Sequence, residues 1–273
     1  MSRVDQEGAM STDDGDRGVV IDGDRVHRPV HAWTPTIHAL LQHLRSRGAV
    51  VPEPLEITGG VETLRLLPGL AGADCWPGQS DDDGVRSAAR LLRTVHDASR
   101  GWTAAPGSRW GVSAGRPLAP TDDVVICHGD PGPWNMVWDG HTAAGLFDWD
   151  FAYPGPALQD VAFALEYLAP FRDDEEAVRW HGFDTAPDRS HRIDVFAWAY
   201  GLGSTEGLVD AVIARQRLTI DHVRGLAEEG LQPQRQWVDD GFLDTLEQRA
   251  RWSEDHRRLL SPPGVRDRFR PHP

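Results

Sequence analysis

The feature that most constrains this chain is a predicted β-hairpin with oxygen-bearing side chains at both of its ends. The dipeptide Asp139-Gly140 separates two short apolar runs, which is a strong signal for a tight hairpin turn. A hairpin brings its outer ends together, so we expect Asn135 and Asp148 to meet at its open end. Asp130 precedes the hairpin at the exit of an apolar segment and should face the same place.

The spacing of these residues is typical of phosphoryl transfer. Four residues separate Asp130 from Asn135, as in the catalytic loop of protein kinases. Phosphoryl transfer needs an aligned acceptor hydroxyl and neutralised phosphate charge more than covalent help. The Asp130 carboxylate can accept the hydroxyl proton, and the oxygens of Asn135 and Asp148 are hard ligands that suit Mg²⁺. A lone Asp in a loop is usually a turn residue, but this set favours a catalytic base and two metal ligands.

These motifs carry a family resemblance. His128-Gly129-Asp130, Asn135 and Asp148-Trp149 resemble the aminoglycoside phosphotransferase family of protein-kinase-like enzymes. The resemblance extends over about residues 19–260 and is strongest between 124 and 160. It implies an α+β, two-lobed fold, with a small antiparallel sheet in an abbreviated N-lobe and a mainly helical C-lobe. It also implies transfer of the γ-phosphate of ATP or GTP, with Mg²⁺, to a hydroxyl of a small molecule.

The resemblance divides the chain into four parts. We expect a disordered lead-in at residues 1–18, a nucleotide-binding N-lobe at 19–69, a catalytic and substrate-binding C-lobe at 70–262, and a tail at 263–273. Within the N-lobe, turn residues and helical spacing predict a hairpin around Gly23, a helix capped by Thr34 and stopped by Gly48, and two further strands. The front half is similar to bacterial paralogues labelled phosphotransferase or trifolitoxin-immunity-like.

The nucleotide-binding residues are expected in the N-lobe. The resemblance implies a hinge strand in which Leu66, Leu67 and Gly69 pair with the base through their backbone groups. It also implies a glycine-rich loop over the phosphates, for which only Gly15 and Gly18 lie in a suitable place. The N-lobe therefore predicts a shortened nucleotide site.

The chain contains no lysine, so the basic contact to the phosphates that the family normally makes with lysine falls to arginine. Arg25 and Arg28 are both placed for it, and Arg28 is preferred. The helix that follows contains no Glu or Asp, so Arg28 is expected to lack an acidic partner on that helix and to be less well pre-organised. The alternative is that Arg28 is a surface residue at a strand end. His38 and Gln42 are the candidate neutral substitutes.

Other residues near the motif have competing interpretations. By the resemblance, His128 braces the catalytic loop rather than acting as a base. Asp160 is expected to cap the next helix and brace the same loop. Asp150 is either an acid behind the metal ligands or a solvated turn residue. Tryptophans crowd the site and either pack in the core or form a wall against the substrate; they are Trp134, Trp138 and Trp149.

Charge constrains the partners. A net charge of −14 disfavours nucleic-acid binding and is compatible with a cationic acceptor. The acidic run at residues 173–176 either attracts such an acceptor or is a solvated helix start. We expect the acceptor to bind between Asp130 and the helical segments around Trp180, Trp198 and Trp237.

No apolar run reaches the length needed to span a bilayer, and the N-terminal residues lack the apolar core of a signal peptide. The two cysteines, Cys75 and Cys127, have no paired spacing. We therefore expect a cytoplasmic protein without membrane partners.

Two functions remain open at this stage. One is a small-molecule phosphotransferase, favoured by the set of Asp130, Asn135 and Asp148. The other is a non-catalytic binding or immunity protein with a degenerate nucleotide site, favoured by the thin glycine loop and the helix without an acid.

Overall fold

The computed structural model describes residues 18–111, 124–230 and 232–261, and it confirms the expected two-lobed α+β architecture. The predicted tail and the predicted lead-in, apart from its last residue, lie outside the described residues. Gly15 lies outside them as well.

The front lobe contains a four-stranded antiparallel sheet. Its strands are β1 (Val20–Asp22), β2 (Arg25–Pro29), β3 (Pro54–Thr58) and β4 (Val61–Arg65), arranged in the order β1-β2-β4-β3. The predicted hairpin joins β1 to β2, and Gly23 lies in its turn with a φ of +59°. That backbone conformation is the one glycine adopts without strain.

One helix, α1 (Thr34–Ser46), packs its apolar face on this lobe. Its fully buried residues recur at helical spacing, and they are Ile37, Leu40, Leu41 and Leu44. Thr34 was predicted to cap the helix but is its first residue, and its hydroxyl instead accepts the backbone N–H of His31. Gly48 ends the turn after the helix with a φ of +87°, as predicted.

The back lobe is mainly helical. The polypeptide enters it through a 3₁₀ helix, Gly72–Gln79, and the remaining elements follow in chain order. They are α2 (Asp82–Ser99), β5 (Val124–Cys127), β6 (Met136–Asp139), β7 (Thr142–Leu146), β8 (Tyr153–Pro156), α3 (Leu158–Leu168), α4 (Asp174–His181), α5 (Arg189–Tyr200), α6 (Leu208–Glu228), α7 (Gln234–Asp239), α8 (Phe242–Asp255) and α9 (Arg257–Leu260).

Two small strand pairs hold the catalytic segment in the back lobe. β6 and β7 form the hairpin predicted from Asp139-Gly140, and β5 pairs with β8 in antiparallel fashion. One buried apolar cluster joins α1, α2, the β6–β7 hairpin and α3 and includes Ile126 of β5. A separate small cluster lies at the β5–β8 pair and contains Val125, Cys127, Tyr153 and Ala157.

The segment between the lobes differs from the predicted hinge strand. β4 ends at Arg65, and residues 66–69 follow as an irregular connector. The backbone N–H of Leu66 donates to Asp24, and Pro68 has no N–H to donate, so the strand ladder cannot continue. Leu70 then pairs with Trp138 through two backbone hydrogen bonds of 3.0 and 2.8 Å. The front lobe is thereby joined directly to the β6–β7 hairpin.

Among the described helices, none is both long and apolar enough to cross a lipid bilayer.

Candidate active site

The loop from β5 to β6 carries the candidate base Asp130, is called the catalytic loop after its predicted role, and is closed by its own hydrogen bonds. The side-chain nitrogen Nδ2 of Asn135 donates to the backbone oxygen of Asp130 at 2.9 Å and to its carboxylate Oδ2 at 2.8 Å. The indole N–H of Trp134 lies 3.4 Å from the same Oδ2. Two donors of one loop, the Asn135 amide and the Trp134 indole, therefore hold the Asp130 carboxylate.

The hairpin brings the third predicted residue to this loop. The backbone N–H of Phe147, at the end of β7, donates to the carbonyl of Asn135 at 2.9 Å. Asp148 follows directly, in the left-handed region with a φ of +62°, which is uncommon for a residue other than glycine. The structure thus places Asp130, Asn135 and Asp148 together, although the chain separates the first and last by a strand pair.

The carboxyl of Asp130 has an altered protonation equilibrium. Burial, followed by the nearby negative charge of Asp148, raises its pKa to about 7, against the donors of Trp134 and Asn135. A general base works best when its pKa lies near the working pH. The site therefore holds a carboxylate suited to take a proton.

The donor set fits a magnesium ion. Because Asn135 uses Nδ2 for both of its side-chain bonds, its Oδ1 has no hydrogen-bond partner among the described residues and is available to a cation. Asp148 adds a carboxylate, so the two residues supply the hard oxygen ligands that Mg²⁺ prefers. The described residues contain no separate cluster of three His, Cys, Asp or Glu side chains that could hold a metal.

His128 is fully buried and bonded in a way that sets its tautomer. Its Nε2 lies 2.8 Å from the carbonyl of Phe147 and must donate, while its Nδ1 accepts the backbone N–H of Asp130 at 3.3 Å. Burial lowers the pKa of the imidazole, which stays neutral. This histidine links the catalytic loop to the end of β7.

Asp160 does not cap a helix, contrary to the sequence-based expectation. Helix α3 begins two residues earlier, at Leu158, so Asp160 lies within its first turn. Its carboxylate accepts the backbone N–H groups of His128 and Gly129 at 2.6 and 3.0 Å, and Nε2 of His96 at 3.1 Å. Burial tends to raise the pKa of Asp160, but the hydrogen bond from His96 and the other donors outweigh it and hold the pKa below its ordinary value.

Arg28 has acidic partners, so the expectation of a poorly pre-organised arginine was wrong. Its Nε donates to Glu62 on the adjacent strand β4 at 2.6 Å. Its Nη2 and Nη1 form a fork with the Asp150 carboxylate at 2.9 and 3.2 Å, and Nη1 also lies 3.3 Å from Asp148. The sequence-based argument considered only the following helix as a source of an acid.

These contacts join the front and back lobes. Burial disfavours the charge of Arg28, but the carboxylates of Asp150, Asp148 and Glu62 outweigh it and raise the pKa of the guanidinium. Asp150 also accepts the indole N–H of Trp33 at 3.1 Å. Asp150 is therefore a partner of two front-lobe residues, and not a solvated turn residue. Burial is the main reason that the pKa of its carboxyl is raised.

The three tryptophans of the motif are packed in the protein. Their side chains are exposed by 4% or less, and they are Trp134, Trp138 and Trp149. Trp138 donates its indole N–H to the carbonyl of Pro133 at 2.8 Å. Gly78 lies against its ring, where a Cβ would come within 2.5 Å of the indole. Close packing of this kind favours the core interpretation.

The residues predicted to contact the base lie on the connector between the lobes. Leu66 already donates its N–H to Asp24, whereas the N–H of Leu67 has no hydrogen-bond partner among the described residues. Gly69 has a φ of +139°, and a Cβ there would meet a side-chain carbon of Val137 at 2.4 Å. Only glycine fits this close approach.

Sequence reasoning missed Arg215, which approaches the catalytic loop from α6. Its Nη2 donates to the carbonyl of Gly129 at 3.2 Å, and its guanidinium lies over the ring of Phe163 at 4.8 Å. Its positive charge acts to lower the pKa of Asp130. No local motif could have indicated this residue, because 86 positions separate it from Gly129.

Sequence reasoning also missed the aromatic neighbours of the Asp130 loop. The ring of Tyr167 packs edge-on against Trp134 at 4.5 Å, and Trp76 lies 6.2 Å from Trp134 on another side. Trp198, one of the residues expected near the acceptor, is 54% exposed, and its contact with the acceptor stays a prediction.

The acidic run at residues 173–176 is the start of a helix. The side chain of Asp173 caps α4 by accepting the N–H of Glu176 at 2.8 Å. Asp174 pairs with Arg189 at 2.7 Å, and Glu176 pairs with Arg249. These carboxylates are engaged by arginines of the same chain, which favours the structural interpretation of the run.

Comparisons with known proteins agree with this geometry. The model of the phosphotransferase enzyme family matches residues 112–192. The chain is 32% identical over 197 residues to the trifolitoxin immunity protein of Rhizobium leguminosarum bv. trifolii, and the match covers 70% of this chain and 74% of that protein.

Solved structures of small-molecule kinases share the fold. A microcompartment-associated aminopropanol kinase superimposes with a TM-score of 0.59 and 13% identity, over 88% of each chain. An amicoumacin kinase, solved with AMP-PNP and Ca²⁺, superimposes with a TM-score of 0.57 and 13% identity, over 90% of each chain. At such identities the likeness concerns the fold.

Proposed function

Since this chain belongs to the phosphotransferase enzyme family, we propose that it transfers the γ-phosphate of a nucleoside triphosphate to a hydroxyl group of a small molecule. The observation that carries the proposal is the convergence of Asp130, Asn135 and Asp148 at the open end of the β6–β7 hairpin. Phosphoryl transfer requires this combination of a base and two metal ligands in one place.

Asp130 is the base in this mechanism. Its Oδ2 is held by Asn135 and Trp134, so the carboxylate has a defined orientation towards the acceptor. It aligns the acceptor hydroxyl and takes its proton as the oxygen attacks the γ-phosphorus. The nucleoside diphosphate leaves with the electron pair of the broken P–O bond.

Asn135 and Asp148 would hold Mg²⁺, which when bound neutralises charge on the phosphates. Arg28 lies beside Asp148 and is the basic residue that we assign to the phosphates. A guanidinium forks onto phosphate oxygens as readily as onto a carboxylate, so arginine is a workable replacement for lysine.

The base of the nucleotide is assigned to the connector between the lobes. The N–H groups of Leu67 and Gly69 have no hydrogen-bond partner among the described residues and are the donors we assign to the base, and Leu66 lines the same segment. The amicoumacin kinase that shares the fold was solved with AMP-PNP, which supports a nucleotide donor. ATP and GTP are both retained as candidates.

The acceptor is a small molecule with a hydroxyl group. The net charge of −14 supports a cationic acceptor. The acidic run at residues 173–176 adds no separate support, because two of its carboxylates are paired with arginines. We place the protein in the cytoplasm, since Cys75 and Cys127 are buried free thiols.

A thermal-shift titration with Mg²⁺–ATP and Mg²⁺–GTP tests the nucleotide site. A ligand that binds only the folded state stabilises it by about 2.7 kcal/mol at a hundred times its dissociation constant. We expect a clear shift in the wild-type protein and a smaller one in Arg28→Ala. A matched control, Arg93→Ala, removes a surface arginine that pairs with Asp97 on α2 and should leave the shift unchanged.

A transfer assay tests the chemistry. Incubation with γ-labelled nucleotide, Mg²⁺ and a panel of hydroxylated amines, amino alcohols and aminoglycosides should yield a labelled product with wild type and none with Asp130→Asn. If the protein bound nucleotide but gave no labelled product with any acceptor of the panel, the proposed transfer would fail and only nucleotide binding would stand.

One observation favours the alternative function, a non-catalytic binding or immunity protein. The guanidinium of Arg28 lies against Asp148 and Asp150, where a metal-bound phosphate would otherwise be expected. The relative from Rhizobium is named as an immunity protein. Absence of a thermal shift with either nucleotide at millimolar concentration would support this alternative.

A further inference from the structure

The strongest unassigned feature of the front lobe is a buried carboxylate at Glu62. This side chain is fully inaccessible, and both of its oxygens are bonded. Oε1 accepts Nε of Arg28 at 2.6 Å, and Oε2 accepts Nε2 of His38 on α1 at 2.8 Å. A buried carboxylate is costly unless it is paired and hydrogen-bonded, so this residue is tied to its partners.

The bond from Glu62 sets the orientation of the guanidinium. Because the guanidinium is a rigid planar fork, a partner on Nε fixes the plane of the group and leaves the end that carries the two terminal nitrogens facing the back lobe. There they meet Asp150 at 2.9 and 3.2 Å and Asp148 at 3.3 Å. The bond to Glu62, a front-lobe residue, therefore determines that the terminal nitrogens of Arg28 face Asp148 and Asp150.

We propose that Glu62 is the positioning residue for Arg28 and directs its terminal nitrogens towards the phosphates of the nucleotide. This role rests on the proposed function, because it presumes a nucleotide in the cleft. Helix α1 contains no acidic residue, so the acid comes from a strand, while His38 of that helix holds the second carboxylate oxygen.

Because Glu62 comes from a strand and not from a helix, the sheet keeps it close to Arg28. Arg28 and Glu62 stand directly opposite each other on the antiparallel strands β2 and β4. Directly opposite residues of neighbouring strands have closely spaced Cβ atoms, and they cannot separate without breaking the sheet. The pairing of β2 with β4 thus keeps Glu62 beside Arg28, while His38 of α1 holds the second carboxylate oxygen. Among the hydrogen bonds that Arg28 makes with described residues, the one to Asp148, at 3.3 Å, is the longest, and it is the contact that a phosphate replaces at least cost.

Nucleotide binding by the variants Glu62→Gln, Arg28→Ala and the double variant tests this role. The probes are AMP-PNP or GMP-PNP with Mg²⁺ and the matching nucleoside, adenosine or guanosine, measured by calorimetry. The control is Glu53→Gln, which removes an exposed carboxylate of the same lobe that pairs with Arg65.

We expect Glu62→Gln to weaken binding of the triphosphate analogue by about tenfold or more, the loss expected for a charge-assisted hydrogen bond. The loss should be much smaller in the Arg28→Ala background, and the nucleoside, which has no phosphates, should bind all of these proteins equally. If Glu62→Gln does not fold, Glu62→Asp withdraws the carboxylate by one methylene and should act in the same direction.

Three results would overturn the role. Equal weakening of nucleoside and triphosphate analogue would mean that Glu62 only maintains the fold. Unchanged binding of the analogue in Glu62→Gln would exclude positioning while leaving the proposed function intact. Failure of the wild-type protein to bind any analogue would reject the proposed function and, with it, this role.

Discussion

Individual side chains in this protein have environments that change their chemistry. Asp130 is the main case, because burial and the neighbouring Asp148 raise its pKa to about 7 while two donors hold the carboxylate in place. His181 is a second case in the other direction, since burial and a group of arginines keep it neutral. We derive one prediction from each: the turnover of a variant at Asp130, and the pH dependence of stability that His181 causes.

Replacement of Asp130 by Asn should abolish transfer without unfolding the protein. The amide cannot accept the hydroxyl proton, and loss of a general base costs roughly 10²–10⁴ in rate. Turnover with an identified acceptor and the melting temperature should be measured together. Asp139→Asn, at the exposed hairpin turn, is the control and should retain full turnover. A turnover in Asp130→Asn equal to that of wild type would contradict the assigned role.

His181 should make the protein less stable in mild acid. Burial, together with four nearby arginines, holds its pKa well below the ordinary value; they are Arg172, Arg249, Arg192 and Arg189. Its ring nitrogens have no hydrogen-bond partner among the described residues. Below about pH 6.5 the unfolded chain binds a proton that the folded chain does not, so the free energy of unfolding falls as the pH falls.

We expect this histidine to remove about 1.4 kcal/mol of stability between pH 7.5 and 5.5. Denaturant titrations at both pH values give the free energy of unfolding of wild type and His181→Phe. The quantity to compare is the change in this free energy between the two pH values, because the substitution can also alter stability at every pH. If the free energy of unfolding changes equally with pH in the two proteins, the imidazole takes up its proton in the folded chain as readily as in the unfolded chain, which would contradict the prediction.

At the scale of elements, Asp160 connects α3 to the catalytic loop. It accepts two backbone N–H groups of that loop and the ring nitrogen of His96 on α2. One carboxylate thereby connects a helix start, a second helix and the loop after β5. The arrangement explains how a loop with two glycines and two prolines can hold Asp130 in place.

Asp160→Ala should therefore destabilise the protein by at least about 2 kcal/mol, because it leaves two buried N–H groups without acceptors. Asp173→Ala removes a true helix cap, on α4, and should cost only about 1 kcal/mol. Hydrogen exchange of the His128 and Gly129 amides should accelerate in the first variant alone. Similar losses in both variants, with unchanged exchange, would mean that Asp160 acts only at the helix start.

At the scale of the whole molecule, the two lobes are held together on one side of the cleft by a polar junction. Arg28 and Trp33 of the front lobe both donate to Asp150 of the back lobe. On the other side, the connector is paired with β6 through Leu70 and Trp138. The relative position of the lobes thus depends on Asp150 as well as on the covalent connection.

Asp150→Asn should loosen this junction. It removes the charge that pairs with Arg28, so we expect a loss of about 1–3 kcal/mol, the usual cost of breaking a hydrogen bond to a charged group. Hydrogen exchange should accelerate in β2 and at the start of α1 but not in α5 or α6. Asp97→Asn, on the exposed surface of α2, is the control and should change neither quantity. If amide hydrogen exchange in Asp150→Asn accelerated equally in both lobes, Asp150 would stabilise the whole fold and not the contact between the lobes.

The local features of this protein could be predicted from sequence alone. The Asp139-Gly140 turn, the apolar period of α1, and the order of Asp130, Asn135 and Asp148 are all set by residues close along the chain, where backbone geometry and side-chain periodicity act directly. These features were enough to bring the candidate site residues to one end of a hairpin, and the family resemblance that they carry implied the two-lobed fold.

The partners of those residues were decided by the tertiary structure. Arg28 is 34 positions from Glu62 and 122 from Asp150, and Asp160 is 31 positions from Gly129. Such contacts arise from the pairing of β2 with β4 and from the packing of α3 against the catalytic loop, which no local pattern specifies. The acid that orients Arg28 therefore could not be found by searching the next helix, because a buried charge needs a partner near in space, at whatever distance along the chain.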